Sequence, residues 1–171
     1  MRFPRTIRFD VSDAHVYERA AVSGECAVSG AFVFADADPS ALPAKARQAF
    51  ASALLGTESF GWSTFVMVAE IDEAAYQATI ERLADHLLAR YGAPDRDAAR
   101  AAAREEAAFA ASLCEHPVNT LLTVERVIES RGLVERFRVV TPPDHLSHAR
   151  VWEAATEDTD ESRDPAADTP E

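Results

Sequence analysis

Alternating and continuous apolar segments predict several β-strands in the first half of the chain. Residues 6–11 place apolar side chains at every second position, which is typical of a half-buried strand, and residues 15–18 are expected to return as a second strand. Residues 26–34 and 63–71 are small or apolar at nearly every position. Such segments are typical of strands that are buried on both faces, so both are expected in the core of a sheet.

Two segments have the features of helices with defined ends. Residues 40–55 follow a loop rich in Asp and Pro, and Gly56 is expected to end this helix. Residues 72–91 begin with Asp72, a good N-cap, and their large apolar residues recur at three- and four-residue steps. These residues are Tyr76, Ile80, Leu83, Leu87 and Tyr91. Gly92 then occupies the C′ position, where helices often end.

The second half of the chain predicts a third helix and a β-hairpin. The alanine-rich residues 95–114 form the helix, which Pro117 ends. Residues 121–128 and 133–140 are β-prone and are joined by a short link containing glycine, so an antiparallel pair is expected. A last short strand is predicted over residues 149–152. Together these elements indicate an α+β fold, in which an antiparallel or mixed β-sheet of about five to seven strands is covered by about three helices.

Composition and charge indicate one soluble domain with an acidic tail. The chain has 171 residues, of which 47% are hydrophobic, and this is enough for a single core. Residues 153–171 contain eight acidic residues against Arg163 alone and supply −7 of the net charge of −12. We therefore expect a single domain over residues 1–154 and a disordered acidic tail over residues 155–171, which has too few apolar residues to offset its ordering entropy.

The same features limit the functional classes. The remaining charge of about −5 repels phosphates, so nucleic-acid binding is not expected. No apolar run reaches the ~18 residues of a membrane span, and no signal-peptide core follows Met1, so a cytoplasmic location is expected. Cys26 and Cys114 are too few for a disulfide framework and are expected to be free thiols.

A loop between two predicted core elements is the most site-like part of the chain. Residues 56–63 combine two glycines with hydroxyls, a carboxylate and two aromatic rings, and loops held by a rigid scaffold often bind ligands. We predict that the binding residues of this loop are Glu58, Ser59, Phe60, Trp62 and Ser63. Phe60 and Trp62 have an alternative interpretation as core anchors. No catalytic residue, metal or cofactor is predicted, because the sequence lacks the common phosphate-, dinucleotide- and zinc-binding motifs.

Cys114, Glu115 and His116 form an alternative candidate site. A thiol beside an imidazole can form an activated nucleophile or part of a metal site. Against this, a helix C-terminus disfavours a thiolate, and adjacent helical residues point in different directions. The other interpretation is a buried Cys114 below the last helical turn. His145 and His148 lack a carboxylate or thiolate partner and are expected to be surface histidines.

Four segments of the chain resemble a known family. They are residues 5–8 (RTIR), 25–32 (ECAVSGAF), 58–63 (ESFGWS) and 109–114 (FAASLC). Over residues 5–140 the chain resembles an uncharacterised proteobacterial family that is known only as a domain of unknown function. Members of that family are encoded near formate dehydrogenase accessory factors, iron–sulfur proteins and a ligase similar to biotin and lipoate ligases. The resemblance implies a bacterial cytoplasmic accessory protein and assigns no catalytic residues.

Two functional hypotheses follow. The first is a non-catalytic accessory or interaction protein that assists a molybdenum or iron–sulfur oxidoreductase, with an oxidoreductase subunit or maturation factor as its partner. The second is a small enzyme or ligand-binding domain whose site combines Cys114 and His116 with residues brought near by the fold. A thiol with a lowered pKa favours the second hypothesis, and an unreactive thiol contradicts it.

Overall fold

Two antiparallel β-sheets form the framework of the protein. The computed structural model describes residues 1–9 and 11–141, which belong to one compact unit. In spatial order, the larger sheet contains β1 (Arg2–Ile7), β5 (Phe65–Glu70), β6 (Leu121–Glu129) and β7 (Gly132–Val140). The smaller sheet contains β2 (Ala27–Val28), β3 (Leu54–Gly56) and β4 (Trp62–Ser63).

Four α-helices accompany these sheets within the described residues. They are α1 (Ser12–Val16), α2 (Ala44–Ser52), α3 (Glu73–Arg90) and α4 (Arg96–Ser112). The predicted α+β class is therefore confirmed. The seven strands introduced above form two antiparallel sheets, and β2, β3 and β4 pair with one another in the smaller sheet.

The larger sheet is closed at one end by a tight hairpin. Strands β6 and β7 pair along their whole length, and Glu129 lies opposite Gly132. The link between them is therefore a two-residue turn, shorter than the predicted four residues, and the predicted antiparallel pair is confirmed. Strand β5, which corresponds to the predicted strand over residues 63–71, pairs with β1 and β6 and buries Val66 and Val68 completely.

The smaller sheet contributes side chains to two hydrophobic clusters. Val28 and Leu55 belong to the hydrophobic cluster that includes α3 and α4. Their neighbours Ala27 and Leu54 belong to the cluster that includes β5 and β6. Because successive side chains of a strand point to opposite faces, the small sheet contributes to both halves of the core.

Helices α3 and α4 pack together through an alanine surface on α4. The fully buried residues of α4 recur at helical spacing and are Ala99, Ala103, Ala107 and Ala110. Side chains this small let helix axes approach closely. Both helices begin at an Asp whose carboxylate accepts a backbone N–H, Asp72 from Ala75 and Asp95 from Ala98. The predicted N-cap Asp72 is thus confirmed, as is Gly92 after the C-cap Tyr91.

The first two predicted strands differ from the structure. The strand predicted over residues 6–11 instead occupies Arg2–Ile7, where pairing with β5 buries Phe3. The strand predicted over residues 15–18 was wrong, because Ser12–Val16 form helix α1. Pairing with a distant strand therefore outweighs the local alternation.

The strand predicted over residues 26–34 is much shorter than expected. Only Ala27–Val28 form a strand. Gly30 has a φ of 75° and begins a 3₁₀-helix over Ala31–Phe34. The predicted burial is nevertheless present, since residues 26–30 are all buried.

The helix predicted over residues 40–55 is also shorter than expected. Helix α2 covers only Ala44–Ser52, after a 3₁₀-helix over Pro39–Ala41. The chain then becomes extended at Ala53 and enters β3, so Gly56 ends a strand instead of a helix.

A buried arginine joins α2, the small sheet and the hairpin. Arg126 of β6 is 2% exposed, and its Nε donates to Glu135 Oε1 at 2.7 Å. Its Nη1 donates to carbonyls at the end of α2 at 2.7 to 3.4 Å, and its Nη2 donates to the Ser29 carbonyl. These helix-end carbonyls belong to Ala49, Phe50 and Ala53. The guanidinium therefore stabilises the negative end of α2 while pairing with β7.

Glu106 of α4 adds a second carboxyl group to this cluster. Burial and then the negative charge of Glu135 raise the pKa of Glu106 to about 7, although the charge of Arg126 acts in the opposite direction. Glu106 Oε2 is buried and has no hydrogen-bond partner among the described residues. The cluster therefore contains one carboxyl group that accepts hydrogen bonds and one whose buried Oε2 accepts none from the described residues.

Within residues 1–9 and 11–141, no helix is both long enough and apolar enough to cross a membrane. Several predictions fall outside the described residues: the strand at 149–152, the two histidines at 145 and 148, and the domain boundary at residue 154 with its acidic tail.

Replacing Arg126 with Met is expected to lower the free energy of unfolding by about 3 kcal/mol or more, because Glu135 and the helix carbonyls would lose their buried donor. The control is Arg138→Met in the same hairpin. Arg138 is 67% exposed and pairs with an exposed Glu125, so its loss should cost less than about 1 kcal/mol. Urea unfolding followed by circular dichroism measures both variants. Equal small losses would contradict a central role for Arg126.

Candidate functional site

A groove lined by aromatic rings and arginines lies beside the predicted loop. It encloses about 370 Å³, which is within the range of ligand-binding sites. The residues that define it are Arg19, Phe60, Trp62, His86, Arg90 and Tyr91. We call it the aromatic groove. It combines parts of the chain that are far apart in sequence: the segment after α1, the loop between β3 and β4, and the end of α3.

The loop over residues 57–61 is held by the carboxylate of Glu25. Glu25 Oε2 accepts the backbone N–H groups of Glu58 at 2.5 Å and Ser59 at 2.8 Å. Glu25 Oε1 accepts the Ser59 hydroxyl at 2.5 Å and the Val22 N–H at 2.7 Å. Glu25 itself is only 3% exposed. Four protein donors therefore replace the water that this carboxylate loses on burial.

Two glycines allow the backbone to approach this carboxylate and the neighbouring chain. A Cβ at Gly56 would overlap the Glu25 carboxylate, and a Cβ at Gly61 would overlap the backbone of Ala20 and Ala21. Both positions therefore require glycine because of close approach.

Phe60 adopts a conformation that is uncommon for its residue type. Its φ is 52°, in the left-handed region, which costs a non-glycine residue about 1–2 kcal/mol. The Phe60 ring stacks on the imidazole of His86 with centroids 3.6 Å apart and planes 8° apart. The strained residue thus brings the loop against α3, and the bonds to Glu25 hold the loop in this arrangement.

Trp62 lines both the aromatic groove and a second cavity. Its backbone N–H donates to the Arg19 carbonyl and its carbonyl accepts the Ala21 N–H, both at 2.9 Å. Its indole stacks on Phe34 with centroids 5.3 Å apart. Trp62 also lines a neighbouring cavity of about 200 Å³, together with Lys45. The two cavities therefore share the indole as a common wall.

Two arginines, Arg19 and Arg90, line the aromatic groove. Arg19 donates one hydrogen bond to the Ser59 carbonyl at 3.1 Å, and Arg90 has no hydrogen bond or ion pair with any described residue. Burial lowers the pKa of His86, and the charges of Arg90 and Arg19 lower it further. Burial raises the pKa of Tyr91. The uncharged forms of both side chains are therefore favoured beside two permanent cations.

Three of the predicted loop residues take part in the groove or in its support. Phe60 and Trp62 form its walls, and Trp62 also packs on core residues, which agrees in part with its interpretation as a core anchor. Ser59 ties the loop to Glu25 through both its N–H and its hydroxyl.

The other two predicted loop residues have different surroundings. Glu58 forms an exposed ion pair with Arg82 of α3 at 3.3 Å. Ser63 is 2% exposed, and its hydroxyl donates to the Phe65 carbonyl at 2.8 Å. A binding role for either residue stays a prediction.

The environment of Cys114 works against an activated thiol. Cys114 is 3% exposed, and burial raises its pKa to about 11, although the charge of Arg2 acts in the opposite direction. His116 contributes its backbone carbonyl to a 2.8 Å hydrogen bond from Arg2 Nη1. Cys26 is also a buried free thiol. Nucleophilic cysteines require a lowered pKa, and burial acts in the opposite direction here.

The residues that surround the loop were not predicted from the sequence. Glu25 is a single carboxylate in an otherwise small and apolar run, which is a detectable signal for a buried functional or structural group. His86 and Arg90 lie four residues apart and therefore on one side of α3. Arg19 has no comparable signal, because its position depends on the backbone bonds to Trp62.

A metal centre is not indicated in the part of the chain that the structure describes, which contains no group of three or more His, Cys, Asp or Glu side chains suitable for holding an ion.

The comparison with known families decides the relationship of the chain. A model described as a family of unknown function (DUF6505) matches residues 1–156. The chain belongs to this family. The match includes Glu25, the loop and every residue of the aromatic groove. No curated protein and no solved structure matches the chain significantly. The resemblance to a family of unknown function is thus confirmed.

Alkylation tests the state of Cys114. In the folded protein at neutral pH, we expect Cys114 to react with iodoacetamide at least about 100-fold more slowly than in denaturant, because the thiol is buried and protonated. Mass spectrometry of the peptide containing Cys114 measures the rate against pH. Fast native alkylation with a midpoint below about pH 8 would contradict the assignment of a buried, protonated thiol.

Proposed function

We propose that this protein is a non-catalytic accessory protein that binds a partner protein through the aromatic groove. The proposal depends on one observation: two partly exposed aromatic side chains, Phe60 and Trp62, lie on a loop that is held in place by the buried Glu25 carboxylate. Trp, Tyr and Arg are the residues that most often dominate the energy of protein interfaces. A loop that is ordered before binding also loses less conformational entropy on binding.

The chemical groups of the groove suit binding better than catalysis. Arginine stays protonated at physiological pH, and Phe and Trp have no titratable group. The one imidazole, His86, has a face covered by Phe60. Outside the groove, a pKa of about 11 leaves Cys114 with a thiolate fraction on the order of one in ten thousand at pH 7. The hypothesis of a small enzyme using Cys114 and His116 therefore has less support.

A protein is a better partner for this chain than a nucleic acid. Binding to a phosphate backbone needs a basic surface with many phosphate contacts, and the two arginines of the groove are too few to form one. The resemblance described above supports a cytoplasmic partner among the subunits or maturation factors of a molybdenum or iron–sulfur oxidoreductase, such as formate dehydrogenase.

The groove can be tested with two equally exposed aromatic residues. Tyr91 is 40% exposed and lines the groove, whereas Phe109 is 41% exposed on α4 and makes an edge contact with Phe137. We expect Tyr91→Ala to weaken binding of the partner about tenfold or more, and Phe109→Ala to leave it within about twofold. Affinity purification from the native host supplies the partner, and isothermal titration calorimetry of the purified pair gives the dissociation constants.

The proposal has two ways to fail. If the captured proteins do not bind the purified chain directly, the accessory role is wrong. If Phe109→Ala weakens binding as much as Tyr91→Ala in variants with unchanged circular dichroism, binding does not use the groove.

A further inference from the structure

We propose that the aromatic groove recognises an acidic segment of the partner protein that carries a large apolar side chain. In this arrangement carboxylates of the segment pair with Arg19 and Arg90, and the apolar side chain lies against Trp62 and Tyr91. The inference rests on the proposed function and specifies the chemistry of the partner.

The two arginines retain unused hydrogen-bond donors. A guanidinium has five N–H donors in a planar fork that fits a carboxylate. Arg19 uses one of its donors on the Ser59 carbonyl, and Arg90 uses none on the described residues. By contrast, each arginine of a second group forms an ion pair with a carboxylate of the chain: Arg82, Arg96, Arg100, Arg126, Arg136 and Arg138.

No carboxylate of the described residues forms an ion pair with Arg19 or Arg90. Glu58 pairs with Arg82 at 3.3 Å, and both oxygens of Glu25 accept hydrogen bonds from the loop and from Val22. Glu18 lines an adjoining cavity of about 630 Å³ that Arg19 and Arg90 also line, but it forms no ion pair with a described residue. Burial lowers the pKa of His86, and the charges of Arg90 and Arg19 lower it further, as expected for two cations close to this imidazole.

Charge and shape together favour an acidic peptide segment. The chain is acidic as a whole, but its distant charges are screened beyond about 8–10 Å at physiological ionic strength, so the local cations decide what enters. Trp62 lines cavities of about 370 and 200 Å³, and the second one is also lined by Lys45 and Glu18. The uncompensated cations therefore lie in the aromatic groove, and two adjacent cavities suit an occupant with several side chains.

Matched peptides test the inference. The probe is an N-acetylated, C-amidated pentapeptide Gly-Glu-Phe-Glu-Gly, and its control replaces both Glu residues with Gln. Titration of the full chain labelled with ¹⁵N and ¹³C follows the Trp62 indole N–H and the His86 ring. We expect the Glu peptide to shift both signals and to bind about tenfold more tightly than the Gln peptide.

Protein variants locate the charge effect. Arg19→Gln and Arg90→Gln are each expected to weaken the Glu peptide about fivefold and to leave the Gln peptide unchanged. The control is Arg104→Gln on α4, an exposed arginine that removes the same charge elsewhere and should have no effect. An anion near His86 should also raise the pKa of its imidazole, which a pH titration with and without the Glu peptide measures.

Three results would overturn the inference. The first is equal affinity for the Glu and Gln peptides, and the second is an Arg104→Gln effect as large as that of Arg90→Gln. The third is tighter binding of the small carboxylate phenylacetate than of the Glu peptide, which would indicate a small-molecule site. The proposed function is tested separately. If binding of a native partner requires Tyr91 but neither arginine, docking at the groove is supported and recognition of an acidic segment is contradicted.

Discussion

A carboxylate that is removed from water must find hydrogen-bond donors, and Glu25 finds them in the loop that builds the groove. The backbone N–H groups of Glu58 and Ser59, the Ser59 hydroxyl and the Val22 N–H all point at its two oxygens. Burial of an unpaired carboxylate would be far more costly than the left-handed conformation of Phe60, which costs about 1–2 kcal/mol. Holding the carboxylate therefore also holds the strained residue. The position of Phe60 against His86, and with it one wall of the groove, follows from this arrangement.

Arg126 is a second buried charge that links separate elements of the fold. It joins the end of α2, Ser29 and Glu135, so it ties the small sheet and α2 to the hairpin. Phe50 of the same helix packs edge-on against Phe34, and Phe34 in turn stacks on Trp62. The two buried charges thus support the groove through different contacts. One orders the loop, and the other orders the aromatic packing behind the indole.

The elements that were predicted correctly are those whose signals are local. Helix α3 has an N-cap at Asp72 and a periodic apolar face, and the hairpin has two β-prone runs around a glycine. The small sheet has no such signal, since Ala27 and Gly56 meet only through long-range pairing. Leu54 and Leu55 continue the pattern of a helix, and their burial between two layers decides their strand conformation. Tertiary packing therefore overrides propensity where elements are shortest.

The candidate site was predictable in the same uneven way. The composition of residues 56–63 indicated the loop, and the four-residue spacing of His86 and Arg90 places them on one side of α3, but Arg19 is an exposed charge with no such signal. Cys114 and His116 were candidates because a thiol and an imidazole are close in sequence, whereas their reactivity depends on burial.

Hydrogen exchange at the Glu58 and Ser59 amides tests the central role of Glu25 most directly. If Glu25 has this role, both amides exchange about 100-fold or more slowly than in a random coil. In Glu25→Gln this protection is lost, while the amides of β5 stay protected. Exchange at random-coil rates in the unmodified protein would contradict it.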